Sequence, residues 1–156
     1  MDPMHGLELK IPPVAVVLLV ASLMWLASWA MPAFGFEFPA RAFLSATVAV
    51  AGLIISGFGI ASFRQARTTV NPLKPESASS LVVSGIYRLT RNPMYLGFLL
   101  VLLGWALFLS NALALLFLPL FIFYMNRFQI EPEEKALHSL FGQQFVAYAS
   151  QVRRWL

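Results

Sequence analysis

Two short polar islands in an otherwise apolar chain hold the residues that could do chemistry. The first is residues 85–97, GIYRLTRNPMYLG, where a polar and basic segment runs into an apolar helix. Asn92-Pro93 reads as a helix start, because Asn caps free N–H groups and Pro is pre-set for the first helical position. The free N–H groups and the helix dipole favour an anion there. Arg88 and Arg91 add donors suited to a carboxylate or phosphate, and Tyr87 and Tyr95 offer rings and hydroxyls. A basic membrane anchor with interfacial tyrosines explains the same residues. The second island is acidic, Glu131-Pro132-Glu133-Glu134. One of its carboxylates could take a proton or balance a cation; solvated charges at a helix N-terminus, which the dipole favours, are the competing explanation. Adjacent in sequence, Glu133 and Glu134 point to different sides of a helix. Arg127, Glu131 and Glu134 would share one face of a continuous helix, and Pro132 argues against that continuity. His138 reads as an ordinary interfacial side chain, and His5 takes no role.

The elements that position these islands are apolar. Of 156 residues, 59% are hydrophobic and 12% charged, whereas a soluble domain has about 45–50% and about 25%. The excess falls in runs, so the chain reads as one integral membrane domain, residues 1–156. The absence of cysteine excludes disulfides, thiolate zinc sites and a cysteine nucleophile. Two histidines do not make a metal site, and the net charge of +4 reads as membrane orientation, with no nucleic-acid motif.

Residues 12–31 have the length of a spanning helix. A signal peptide is the rival reading; the length of the run, Trp25 and Trp29 near its end, and the lack of a strongly basic start favour a retained helix. Residues 40–63 form the second run, in which Gly52, Ser56 and Gly59 share a face suited to close helix packing. Residues 64–92 are a polar connection rich in turn formers, including Asn71-Pro72 and Lys74-Pro75. Residues 93–109 and 112–125, joined by Ser110-Asn111, read as a helical hairpin, with Pro119 expected to kink its second arm. Residues 133–152 are amphipathic: Leu137, Leu140, Phe141, Phe145, Tyr148 and Val152 recur at helical steps, and Gly142 divides them. The expected fold is therefore an all-α membrane protein of about four transmembrane helices, the last two a hairpin. A C-terminal amphipathic cytosolic helix lies on the membrane face or over the bundle. Trp25, Trp29 and Trp155 read as interface anchors. Apart from Arg41, the other ten of eleven Lys and Arg lie in the N-terminal segment, the long connection or the tail. The positive-inside rule then puts both termini and both islands in the cytosol.

Leu81-Val82-Val83-Ser84-Gly85-Ile86-Tyr87, followed by Arg91-Asn92-Pro93-Met94-Tyr95-Leu96-Gly97 and by Glu133-Glu134 with Leu137 and Phe141-Gly142, resembles the isoprenylcysteine carboxyl methyltransferase family and its phospholipid methyltransferase relatives. That family pairs an Arg-His-Pro-x-Tyr-x-Gly motif with an apolar hairpin and a Glu-Glu segment. The resemblance spans residues 68–155. It implies S-adenosyl-L-methionine bound at the cytosolic mouth, released as S-adenosyl-L-homocysteine, and a lipophilic or lipidated acceptor reached from the membrane lipids. It implies no metal and no nucleic acid. Ser80, Leu81, Val82, Val83 and Tyr87, with Gly85 between them, would line the adenosine side. Arg91, Asn92, Pro93 and Tyr95 would meet the amino-acid end. Glu133 and Glu134 would complete the pocket, and with Arg127 they are the catalytic candidates. The chain departs from the family in two places. Asn92 stands where a histidine is usual, and Gln129 where an arginine is frequent; Arg127 is the candidate substitute, but it points elsewhere on a helix. An NADPH-dependent membrane reductase of the sterol-reductase type and a non-catalytic helical bundle are the alternatives.

Overall fold

A computed structural model describes residues 8–68, 71 and 73–156. His5 and Pro72 lie outside the described residues. The regular elements among the described residues are helices, and three of them are long and apolar enough to cross a membrane: α1 (Pro13–Ala30), α2 (Arg41–Gln65) and a continuous helix Ala112–Phe141. The fourth apolar run is the shorter α3 (Pro93–Leu109), of 17 residues.

The closest packing in the bundle is between α2 and α3, and glycine makes it possible. A Cβ on Gly52 would lie 2.5 Å from the Gly97 carbonyl oxygen, and one on Gly104 would lie 2.7 Å from the Ser45 carbonyl oxygen. Neither distance is tolerable for a side chain, so the two backbones meet directly. Gly52, Ser56 and Gly59 are all buried on this face, as their spacing predicts. Ser56 Oγ donates to the Met94 carbonyl at 3.1 Å, which fixes how far the start of α3 slides along α2.

At the opposite end from the islands, the hairpin turns at Ser110, in the left-handed region at φ 51°. Asn111 then caps α4 (Ala112–Met125), its side chain accepting from Leu113 N at 3.0 Å. Its Nδ2 donates to the Met31 carbonyl at 3.0 Å, which ties the hairpin turn to the end of α1. Trp105 Nε1 donates to the Ala21 carbonyl at 3.1 Å, so α1 is also pinned to α3. Met24, Leu102, Phe121, Met125 and Ile130 fill the centre of the bundle.

Pro132 does not end the last long helix. A π-helical turn, Asn126–Ile130, joins α4 to α5 (Glu131–Phe141). Pro132 sits in the first turn of α5, where its missing N–H costs least. The π turn fits extra residues into the winding and so changes which side chains share a face. Gly142, at φ 49°, then splits the tail into α5 and α6 (Gln143–Gln151), as expected. Trp25 and Trp29 are exposed on α1. Trp155 corrects the expectation of an interface anchor: it packs against the core, and its Nε1 donates to Asn126 Oδ1 at 3.0 Å.

Candidate active site

The start of α3, the end of α2, α5, α6 and the connection before α3 surround one cleft. Ser80, Leu81, Val82, Tyr87, Arg91, Asn92, Tyr95, Glu133 and Glu134 line it, so most of the candidates from both islands come together. Its interior encloses about 90 Å³, and about 650 Å³ with the open mouth counted. The first figure falls short of the roughly 300–1,000 Å³ of small-molecule pockets. A nucleoside-sized ligand therefore needs the mouth as well as the interior.

The connection is shaped to serve as a wall. Gly85 takes φ 60°, and a Cβ there would stand 2.9 Å from Ser62 Oγ. The chain turns tightly against α2 and presents Tyr87 inward. The Tyr87 ring meets Phe63 edge-on at 5.4 Å, and its carbonyl accepts from the Tyr148 hydroxyl at 2.7 Å. Burial pushes the hydroxyls of both Tyr87 and Tyr148 above the ordinary tyrosine range. Both are neutral donors across the physiological range.

Asn92 corrects the expected cap. Its side chain makes no capping bond to α3. Nδ2 donates to the Arg154 carbonyl at 2.9 Å, and Thr90 Oγ1 accepts from Asn92 N at 3.2 Å. The tail competes for the amide and wins. Arg91 N donates to the Arg153 carbonyl at 3.0 Å, and Arg91 Nη1 to the Ala149 carbonyl at 2.9 Å. The C-terminal strap thus closes over the start of α3.

The two glutamates have separate surroundings. Glu134 accepts from Arg91 Nη2 at 2.8 Å and from Arg154 Nη2 at 2.6 Å. Arg154 also reaches Glu131 at 3.9 Å. Glu131 and Glu134 thus share a face, as expected of a continuous helix. Glu133 turns the other way. Its Oε1 accepts from the hydroxyl of Tyr95 and from Gln129 Nε2, the latter at 2.6 Å. Tyr95 and Gln129 are both buried.

Arg127 is not brought to the cleft. The π turn carries its guanidinium away from Glu134, and it pairs with Glu8 at 2.8 Å and lies over the Phe128 ring. Val83 lines a neighbouring outer groove with Arg88, and Pro93 is buried at the first position of α3. Phe63, Phe145 and Tyr148 are wall residues that the motifs do not reveal, and Leu137, which the second motif contains, stands with them. The apolar stripe of the tail was their signal: three of them belong to it. Arg154 had no signal beyond its charge.

One polar atom in the wall is unsatisfied. Arg91 Nε is buried and has no hydrogen-bond partner among the described residues. A buried donor without a partner costs about 1–3 kcal/mol, and an anionic ligand at the start of α3 would supply the partner.

Fold and cleft define an integral membrane helical bundle with a cleft at one end. The chain belongs to the phospholipid methyltransferase family, whose pattern it matches over residues 40–144. A protein of Haemophilus influenzae named only as uncharacterized is 51% identical over 63 residues, which is 40% of this chain and all of that one. Protein-S-isoprenylcysteine O-methyltransferase B of Arabidopsis thaliana is 28% identical over 106 residues, 68% of this chain and 54% of its own. Protein-S-isoprenylcysteine O-methyltransferase of Saccharomyces cerevisiae is 38% identical over 82 residues, 51% of this chain and 33% of its own. The chain thus spans about half or less of the length of these named methyltransferases.

Proposed function

We propose that the chain is an S-adenosylmethionine-dependent methyltransferase acting on a lipophilic acceptor that reaches the cleft from the bilayer. The observation that carries this reading is the convergence, in one cleft, of the α3 N-terminus, Arg91 with its unpartnered Nε, and Glu133. When bound, S-adenosylmethionine supplies an electrophilic methyl group on a sulfonium. The donor set suits it: the first-turn N–H groups of α3 and Arg91 for its carboxylate, Leu81 and Val82 with the Tyr87 and Tyr148 rings for its adenine. Glu134 holds the Arg91 guanidinium in place and is itself neutralised by Arg154. Glu133 faces the reacting end.

Methyl transfer asks mostly for alignment and a water-poor site. Phe63 of α2 and Leu137 of α5 wall the cleft with apolar surface, and the acceptor path is assigned between them. The basic residues of the connection and tail surround the cleft end of the bundle. By the positive-inside rule that end, with both termini, faces the cytosol.

The test is a titration of the detergent-purified chain with S-adenosylhomocysteine and with NADPH. Saturable binding of S-adenosylhomocysteine alone is expected. Binding of NADPH alone moves the protein to the membrane-reductase reading, and binding of neither moves it to a non-catalytic bundle.

A further inference from the structure

Resting on the methyltransferase reading, we infer that the acceptor head is a neutral thiol on an apolar body, and that Gln129 is the positioning residue that sets this choice. The charges on the wall of the cleft are few. Arg91, Glu133 and Glu134 line it, with the neutral hydroxyls of Tyr87, Tyr95 and Tyr148. Arg91 and Arg154 are both committed to Glu134. That leaves Glu133 as a carboxylate whose hydrogen-bond partners, Tyr95 and Gln129, carry no charge. Both donate to Oε1, and Oε2 takes no hydrogen bond from the described residues.

Each acceptor class meets this carboxylate differently. A carboxylate head would bring a second negative charge beside Glu133 in a site of low dielectric, where like charges repel strongly and share one proton. An ammonium head would pair with Glu133 and keep its proton, with a reference value of about 10.4, and its nitrogen would have no lone pair to attack with. A thiol arrives uncharged and donates its S–H to Oε2. Its proton, with a reference value of about 8.5, is the easier one to give up. In the step, the sulfur lone pair forms the bond to the methyl carbon. That carbon's bond to the donor sulfur breaks with its electron pair left on the donor. The thiol proton passes to Glu133 Oε2 and from there to water. The products are a methyl thioether, S-adenosylhomocysteine and one proton.

Gln129 acts through Glu133, four residues on and therefore on the same helix face. Its amide orients the carboxylate at 2.6 Å and adds no charge. An arginine there would form an ion pair with Glu133, weaken it as a proton acceptor and present a cationic edge to an anionic head.

The experiment compares 1-decanethiol, decylamine and decanoate, three heads on one apolar body, with labelled S-adenosylmethionine and the full chain in detergent micelles. Methyl thioether is expected, with the amine and the carboxylate slower by about 10²-fold or more. Q129R is expected to lower thiol methylation and to raise the decanoate rate, with S-adenosylhomocysteine affinity unchanged within about threefold. A second readout needs no donor. Decanethiol should quench the protein's fluorescence at a concentration about tenfold or more below decanoate, and Q129R should reverse that order. Decanoate or decylamine as the best acceptor, or decanoate as the tighter ligand of the unaltered chain, overturns the thiol assignment. A Q129R protein with unaltered preference overturns the role of Gln129. Absence of S-adenosylhomocysteine binding removes the methyltransferase reading itself, an outcome separate from these.

Discussion

On one side of the cleft Glu134 is held by two guanidiniums, Arg91 at 2.8 Å and Arg154 at 2.6 Å; on the other, Glu133 is held by a hydroxyl and an amide. The residues are adjacent, of one type, and on one helix. The first region is an ionic clasp that joins α3, α5 and the C-terminal strap. Its two cations are matched by Glu134 and, at 3.9 Å from Arg154, by Glu131, and both Glu134 oxygens accept hydrogen bonds. The second region holds a carboxyl group whose hydrogen-bond partners among the described residues, buried Tyr95 and Gln129, carry no charge. Satisfied ion pairs hold architecture together, whereas an uncompensated carboxylate in a cleft is disposed to take a proton. On the proposed methyltransferase reading, the contrast gives Glu134 a structural part and Glu133 the chemical one.

The largest expected effect comes from removing that chemistry. E133Q keeps the shape and both donors' neighbour but abolishes the charge. Methyl transfer should fall by about 10²–10⁴-fold, while S-adenosylhomocysteine affinity stays within about threefold. Single-turnover transfer and calorimetric titration measure the two. E134Q with the same signature, and E133Q without it, would reverse the contrast.

Next is the clasp. E134A leaves Arg91 and Arg154 without their shared partner. The three side chains are 14–32% exposed, so the loss lies between that of an exposed pair, about 1 kcal/mol, and a buried one, about 3–5 kcal/mol. A lower Tm in detergent and an S-adenosylhomocysteine Kd weaker by about tenfold are expected, because Arg91 loses its aim. A full loss of turnover at unchanged Tm would show that the clasp is chemical after all.

The clasp also shows what could be read from the chain. The runs at 93–109 and 112–125 coincide with α3 and α4, because long apolar stretches bounded by Asn and Pro leave little choice. The shared face of Gly52, Ser56 and Gly59 follows from helical spacing alone. The meeting of the two islands followed from topology and motif order. The partners of Asn92, Arg127 and Glu134 did not. Asn92 was expected to cap α3, but the strap offers its amide a carbonyl 62 residues away. Arg127 would share a face with Glu134 on a continuous α-helix, a continuity that Pro132 argued against; the helix is continuous, but a π turn, which no local pattern announces, rotates Arg127 to Glu8. Local preference set the elements, and contacts between residues far apart in sequence set the site.

A third, smaller effect tests whether the seam that carries both regions is as tight as its geometry requires. A Cβ on Gly97 would overlap Ser56 Oγ and the Gly52 carbonyl, whereas one on Gly57 meets nothing within 4 Å. G97A should cost about 1–3 kcal/mol by overpacking. G57A should be neutral or slightly stabilising, by up to about 1 kcal/mol, because alanine is the better helix former. Thermal unfolding of the two variants in one detergent makes the comparison; equal Tm values would mean that α2 and α3 are not in backbone contact.

The smallest effect separates α6, which forms a lid on the cleft through Phe145 and Tyr148, from both glutamates. Tyr148 reaches from α6 to the Tyr87 carbonyl at 2.7 Å, a neutral hydrogen bond that touches neither carboxylate. Y148F removes the hydroxyl and keeps the ring, so a loss of about 0.5–1.5 kcal/mol is expected. S-adenosylhomocysteine should bind more weakly and the transfer rate at saturation should hold, since on the proposed reading the ring and the hydroxyl serve the adenosine end. Burial holds the Tyr148 proton more tightly in the folded chain than in the unfolded one. The bond therefore contributes fully below the unfolded value of about 10 and is lost only above it. The difference in Tm between the parent chain and Y148F should accordingly be flat from about pH 6 to about pH 9. A difference that changes within that window would mean that the hydroxyl shares its proton with a titrating group, and the separation of lid from carboxylates would fail.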